Sequence, residues 1–242
     1  MTIIERINQG EVTKEELISV IEQFGVIMKE QQKGEQLKKV RNYKELNKVA
    51  VKQGVLFTGS SLMEQFPINE YCMSGGITKM VYNRGIGGTT TDDFLREIDT
   101  VLFDLEPEKV FINIGTNDIN KREDNEPWQE HLLKNYEEIL KQLIDRLPQT
   151  EVYMMAYYPV NAELLETPEW AKTVFATRTN VALNDTNEKV KLLAEKFNYH
   201  FIDLNDGIKD AKGNLRADIT VEGMHMYTNG YANIFEKVKC LI

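Results

Sequence analysis

Hydrophobic positions along this chain follow a helical period at first and a strand–helix alternation afterwards. Leu17, Ile21, Phe24 and Met28 recur at steps of four, three and four, which sets them on one face of a helix. Thr13 and Glu16 have the spacing of a capping box at its start. Gly34, among lysines, interrupts the pattern, and Leu37, Val40, Tyr43, Leu46 and Ala50 mark a second helix. From Val55 onward, short apolar runs of strand character alternate with helical segments. Strands are expected at 55–58, 79–82, 109–114, 151–157 and 200–204. Between them, Phe94, Ile98, Val101 and Leu102, and later Leu132, Leu133, Tyr136, Ile139 and Leu140, carry helical spacing. Tyr231, Ile234, Phe235 and Val238 form the inner face of a last helix. Strands joined by helices imply a parallel sheet with right-handed crossovers, covered on both faces, an α/β architecture. The expected organisation is a helical extension over residues 1–52 and one α/β domain over residues 53–242.

Composition narrows the function classes. The chain has 242 residues, enough for one domain that buries roughly 70–75% of its unfolded surface. A net charge of -9 argues against nucleic acid or an anionic membrane as the main partner. The two cysteines, Cys72 and Cys240, lie far apart and have no metal-like spacing. No run nears the ~18 uncharged apolar residues of a membrane span, and the first residues lack the texture of a secretory leader. The expected location is the cytoplasm.

Candidate chemistry falls in the turns that follow the strands, because an open parallel sheet binds ligands beyond the carboxyl ends of its strands. Gly59-Ser60-Ser61 follows the first strand, and a serine there can face a cleft or merely cap the next helix. Asn83-Arg84-Gly85-Ile86-Gly87-Gly88 follows the second, and its glycines let backbone N–H groups approach an anionic oxygen. Their spacing does not fit a dinucleotide fingerprint. Gly115-Thr116-Asn117-Asp118 ends the third strand. The Asn117 amide can donate to a developing oxyanion, or it can form a simple Asx turn. Asp118 reads as a structural partner of that loop.

Three histidines compete for the role of base. His131 sits inside a helical run, and His200 begins the fifth strand at the edge opposite the cleft. His225 lies just before the last helix, three residues after Glu222. A carboxylate that orients a histidine, which deprotonates a serine, is triad logic. Residues 159–180 are too long for a simple link and contain Leu164, Leu165, Trp170 and Phe175. They read as a wall or lid over the cleft, or as a local subdomain with its own small core.

These four blocks, in this order, resemble the SGNH hydrolases of the GDSL esterase/lipase superfamily. Within it the chain is similar to the branch of intracellular platelet-activating-factor acetylhydrolase catalytic subunits and bacterial acetylesterase-like proteins. The resemblance runs from Val55 to the C-terminus and leaves out the N-terminal helices. It implies a three-layer α/β/α sandwich with five parallel strands in the flavodoxin-like order 2-1-3-4-5. It also implies that Ser61, not Ser60, is the nucleophile, with His225 as base and Glu222 as the acid that orients it. The backbone N–H groups of Ser61 and Gly88 and the Asn117 side chain would form the oxyanion hole. Ser60 and Glu222 each stand where the family usually has aspartate, and Asp203 and Asp218 are the next candidates for the acid. The function implied is hydrolysis of short acyl esters, acetyl first, of a carbohydrate or other small alcohol. No metal or cofactor is implied. The same residues would serve an acyltransferase, and a ligand-binding domain without turnover is the other alternative. The N-terminal helices suggest a homo-oligomer.

Overall fold

Each of the five apolar runs overlaps a strand of a single parallel sheet in the computed structural model, which describes residues 6, 12–120, 122 and 124–242. The strands are β1 (Val55–Gly59), β2 (Val81–Asn83), β3 (Lys109–Asn113), β4 (Glu151–Met155) and β5 (His200–Ile202), in the order β2-β1-β3-β4-β5. That is the expected order. In the register of the central pair, Gly59 lies opposite Asn113. The turns after β1 and β3 therefore leave the sheet side by side at one edge.

Period-two alternation in the strands feeds two cores. Leu56, Val110, Ile112, Val152 and Met154 point into one, and Val55, Phe57, Phe111, Tyr153 and Met155 into the other. The first core is closed by α4 (Thr91–Arg96), α5 (Ile98–Val101), α6 (Trp128–Arg146) and α8 (Asn180–Phe197). The second is closed by α2 (Ser61–Glu64), α3 (Ile68–Ser74) and α9 (Thr228–Val238). Phe57, Phe111, Tyr153 and His200 stack in a row across the second face, with ring centroids 4.6–4.8 Å apart. His200 is thus used in packing at the amino end of β5. Residues 159–180 hold a short helix, α7 (Glu169–Phe175).

The chain divides into two compact units, residues 1–39 and 40–242. In the first unit Leu17, Ile21, Phe24 and Met28 are exposed. Contrary to the expected break at Gly34, α1 is a single helix from Lys14 to Asn47. Gly34 lies in open space, and one helical glycine costs only about 1 kcal/mol, which the Glu, Gln and Lys residues around it outweigh. In the second unit Val40 joins the first core and Asn47 is buried.

Candidate active site

The turn after β1 can be made only with glycine. Gly59 has φ +146°, and a Cβ there would meet the Asn113 carbonyl oxygen at 1.9 Å. Ser60 then takes the N-cap position of α2 in an extended conformation, without a side-chain capping bond. Its hydroxyl is buried and has no hydrogen-bond partner among the described residues. Ser61 opens α2, so its backbone N–H belongs to the first turn, where no intrahelical acceptor exists. Its Oγ lies 2.9 Å from His225 Nε2.

His225 reaches Ser61 because of a tight turn before α9. Gly223 has φ +101°, and its N–H donates to Thr220 Oγ1 at 2.9 Å. Thr220 Oγ1 in turn donates to the His225 carbonyl at 2.8 Å. Glu222 is buried and its Oε1 contacts His225 Nδ1 while accepting the His225 backbone N–H at 3.2 Å. The two fallback acids are engaged elsewhere. Asp203 accepts the Asn205 N–H at 2.9 Å, and Asp218 holds Arg216 through both oxygens. His131 is likewise occupied, with Glu126 at 2.8 Å on Nδ1 and Asp92 at 2.9 Å on Nε2.

The glycine loop after β2 lies against this serine. A Cβ on Gly87 would stand 3.7 Å from Ser61 Cβ, and one on Gly85 would strike the Glu64 backbone nitrogen at 2.3 Å. Gly88 has φ +71°, and its N–H has no acceptor among the described residues. The loop is held from outside by Tyr43, whose hydroxyl donates to the Gly85 carbonyl at 2.9 Å. Arg84 adds a second tie, donating from Nε to Asn47 Oδ1 at 2.9 Å while lying over the Tyr43 ring. Sequence reasoning missed this support, because the helix around Tyr43 carries no catalytic residue type. Thr90 caps α4 in a reciprocal capping box with Asp93.

Asn117 follows Gly115, where φ is +123° and a side chain would collide with the Tyr157 hydroxyl. Its Nδ2 donates to the Thr89 carbonyl at 3.0 Å, tying the third loop to the second. Its Oδ1 accepts from Arg178 Nη2 at 3.1 Å. Asp118 is buried and accepts the Thr91 N–H at 3.0 Å, and burial pushes its carboxyl up to about 6. It is therefore a loop partner, as its position suggested.

Ser61 and His225 share a cavity of only about 10 Å³ with Thr116, Tyr158, Val160, Arg178 and Met224. Residues 159–180 thus supply part of the wall, through Val160 and Arg178. Trp170 is exposed and Phe175 is built into the first core, so neither lines the cavity. Arg178 was not foreseen. A lone arginine before a helix N-cap has no distinguishing pattern. Among the described residues, no three His, Cys, Asp or Glu side chains are grouped to hold a metal, and no helix is long and apolar enough to cross a membrane.

The model of the GDSL-like lipase/acylhydrolase family matches residues 70–232. The chain belongs to this family. It is a carboxylic ester hydrolase. The family match includes Gly88, Asn117, Glu222 and His225 and begins after Ser61, whose location rests on the geometry above. A Streptococcus pneumonia protein, described as a platelet activating factor, is 28% identical, with 90% of this chain and 98% of that one covered at a TM-score of 0.79. A Bacteroides fragilis acylhydrolase-type protein is 20% identical, with coverage of 83% and 94% and a TM-score of 0.68. A catalytic variant of an acetylxylan esterase from Geobacillus stearothermophilus is 14% identical, with coverage of 78% and 94% and a TM-score of 0.59. The last two share the fold alone. No curated protein matches the chain.

Proposed function

We propose that this ester hydrolase works through an acyl-enzyme on Ser61. His225 Nε2 accepts the Ser61 proton as Oγ attacks the acyl carbonyl, and Nδ1–H donates to Glu222, which stabilises the imidazolium as it forms. The N–H groups of Ser61 and Gly88 and the second Nδ2–H of Asn117 receive the oxyanion. Collapse expels the alcohol, protonated by His225, and water then repeats the sequence to release the acid. The observation that carries the reading is the unbroken chain from Glu222 through both ring nitrogens of His225 to Ser61 Oγ.

Acetyl esters fit best. A cavity of about 10 Å³ beside Ser61 has room for roughly one water-sized group, the scale of a methyl. The alcohol portion, a carbohydrate or other small alcohol, would extend outward. The same proposal includes a cytoplasmic setting, with Cys72 and Cys240 as free thiols, and self-association through the exposed apolar stripe of α1. Hydrolysis of aryl esters from acetyl to octanoyl, by wild type, Ser61→Ala and Ser60→Ala, tests the reading. Expected are an acetyl preference, a loss of order 10⁶ in turnover for Ser61→Ala, and substantial activity in Ser60→Ala. Faster turnover of the octanoyl ester would refute the acyl assignment, and an active Ser61→Ala would refute the nucleophile.

A further inference from the structure

Arg178 brings a positive charge to the wall of the cavity that holds Ser61 and His225. Its Nε is buried without a hydrogen-bond partner, and no described carboxylate forms an ion pair with it. Burial lowers its pKa to about 10, partly offset by the Asp118 carboxylate, so the group is a cation at neutral pH. A half-buried cation whose Nε is cut off from solvent and which has no ion-pair partner among the described residues is costly to keep and is poorly explained by packing alone.

The bonds it does make point to its use. Nη2 donates to Asn117 Oδ1 at 3.1 Å, and Nη1 lies 3.4 Å from the sulfur of Met224, the residue before His225. One planar guanidinium thus touches both the loop of the amide donor and the loop of the histidine, a span that suits the arginine fork. A carboxamide has an acceptor end and a donor end, and turning it over would aim an oxygen at the developing oxyanion. With Oδ1 on Arg178 and one Nδ2–H on the Thr89 carbonyl, Asn117 has a single allowed orientation. A charge-assisted bond on the oxygen also polarises the amide and strengthens its remaining N–H as a donor.

We propose that Arg178 is a positioning residue for ester hydrolysis, holding the Asn117 carboxamide with its free N–H toward the oxyanion. This rests on the Ser61 reading above. It acts through Asn117, so its effect must vanish when Asn117 is removed.

The test is a double-mutant cycle on aryl acetate hydrolysis with wild type, Arg178→Met, Asn117→Ala and the double variant. Removal of an oxyanion donor costs about 10²–10³ in kcat, and loss of its orientation is expected to cost at least about 10-fold of that. KM should stay within about twofold, because the oxyanion exists only in the transition state. In the Asn117→Ala background the Arg178→Met change should be under about threefold. Equal losses in both backgrounds, or no loss in the first, would overturn the proposal. If Arg178→Met loses its near-UV circular dichroism, Arg178→Lys replaces it in the same cycle and is judged by the same two outcomes. A wild type without esterase activity would overturn the Ser61 reading and this proposal together. An active wild type with an indifferent Arg178 would overturn this proposal alone.

Discussion

Glu222 carries one methylene more than the aspartate usual in its block, and the extra length is taken up within its own turn. Its carboxylate curls back to the His225 backbone N–H as well as to the ring, so a longer arm still meets the imidazole. Replacement by glutamine would keep the shape but permit the wrong tautomer of His225. Glu222→Gln should lower turnover by a factor of order 10⁴, whereas Glu222→Asp should retain part of the activity. Steady-state kinetics at saturating acetyl ester decides this, and near-wild-type turnover in Glu222→Gln would remove Glu222 from the mechanism. Asp118 offers a second residue-level test. Its folded pKa of about 6 lies above the ordinary 3.8, so the folded state holds the proton more tightly than the unfolded chain does. Stability from this group is therefore fully present below about 3.8 and is lost as pH rises to about 6, by roughly 2–3 kcal/mol in all. Denaturant unfolding of wild type and Asp118→Asn between pH 4 and 7 should show the wild type losing ground over that window. A constant difference between the two would mean that Asp118 titrates normally.

At the level of elements, the site is assembled by strand-to-loop transitions that only glycine can make. Gly59 and Gly115 each take a positive φ with a neighbour where a side chain would stand, so the two central loops can lie against one another. Gly223 does the same for the Glu222–His225 turn. A Cβ there would be 2.3 Å from the Asn161 carbonyl oxygen and 2.9 Å from the Phe175 ring. Gly223→Ala combines backbone strain with a collision against main chain, so a loss of at least about 2 kcal/mol is expected. Turnover should fall with it, since the acid and base of the proposed triad flank this position. Urea unfolding and acetyl esterase assays on the same preparation check both effects, and an alanine variant with unchanged midpoint and rate would contradict the argument. Helix α1 shows the opposite behaviour at Gly34. With nothing within 4 Å of a Cβ and a strong helix-forming context, that glycine leaves the helix unbroken.

For the whole molecule, the remaining question is what the exposed apolar residues of the first unit do. Phe24 is 63% exposed and Ile21 62%, and with Leu17 and Met28 they share one helix face, which sets them apart from singly scattered surface apolar residues. The proposed self-association through this face predicts that Phe24→Glu lowers the oligomeric state by sedimentation while leaving acetyl ester turnover per chain unchanged. An unaltered sedimentation coefficient would discard that interface. Much of this architecture was legible in the sequence. The sheet is encoded by local apolar runs, and its turns by glycines whose backbone needs are also local. The four blocks were legible as residues, and the strand order followed from the family resemblance built on them. The resemblance also implied Ser61 rather than Ser60 and Glu222 ahead of Asp203 or Asp218, but the contacts themselves, Ser61 with His225 164 positions away and Glu222 with the ring, exist only in the tertiary structure. Tertiary structure also decided that Trp170 turns outward, that Tyr43 and Asn47 support the glycine loop, and that Arg178 reaches Asn117. Each of these is a pairing between side chains remote along the chain. Periodicity reports which face of an element is buried, but the partner across the interface is chosen only when the elements pack.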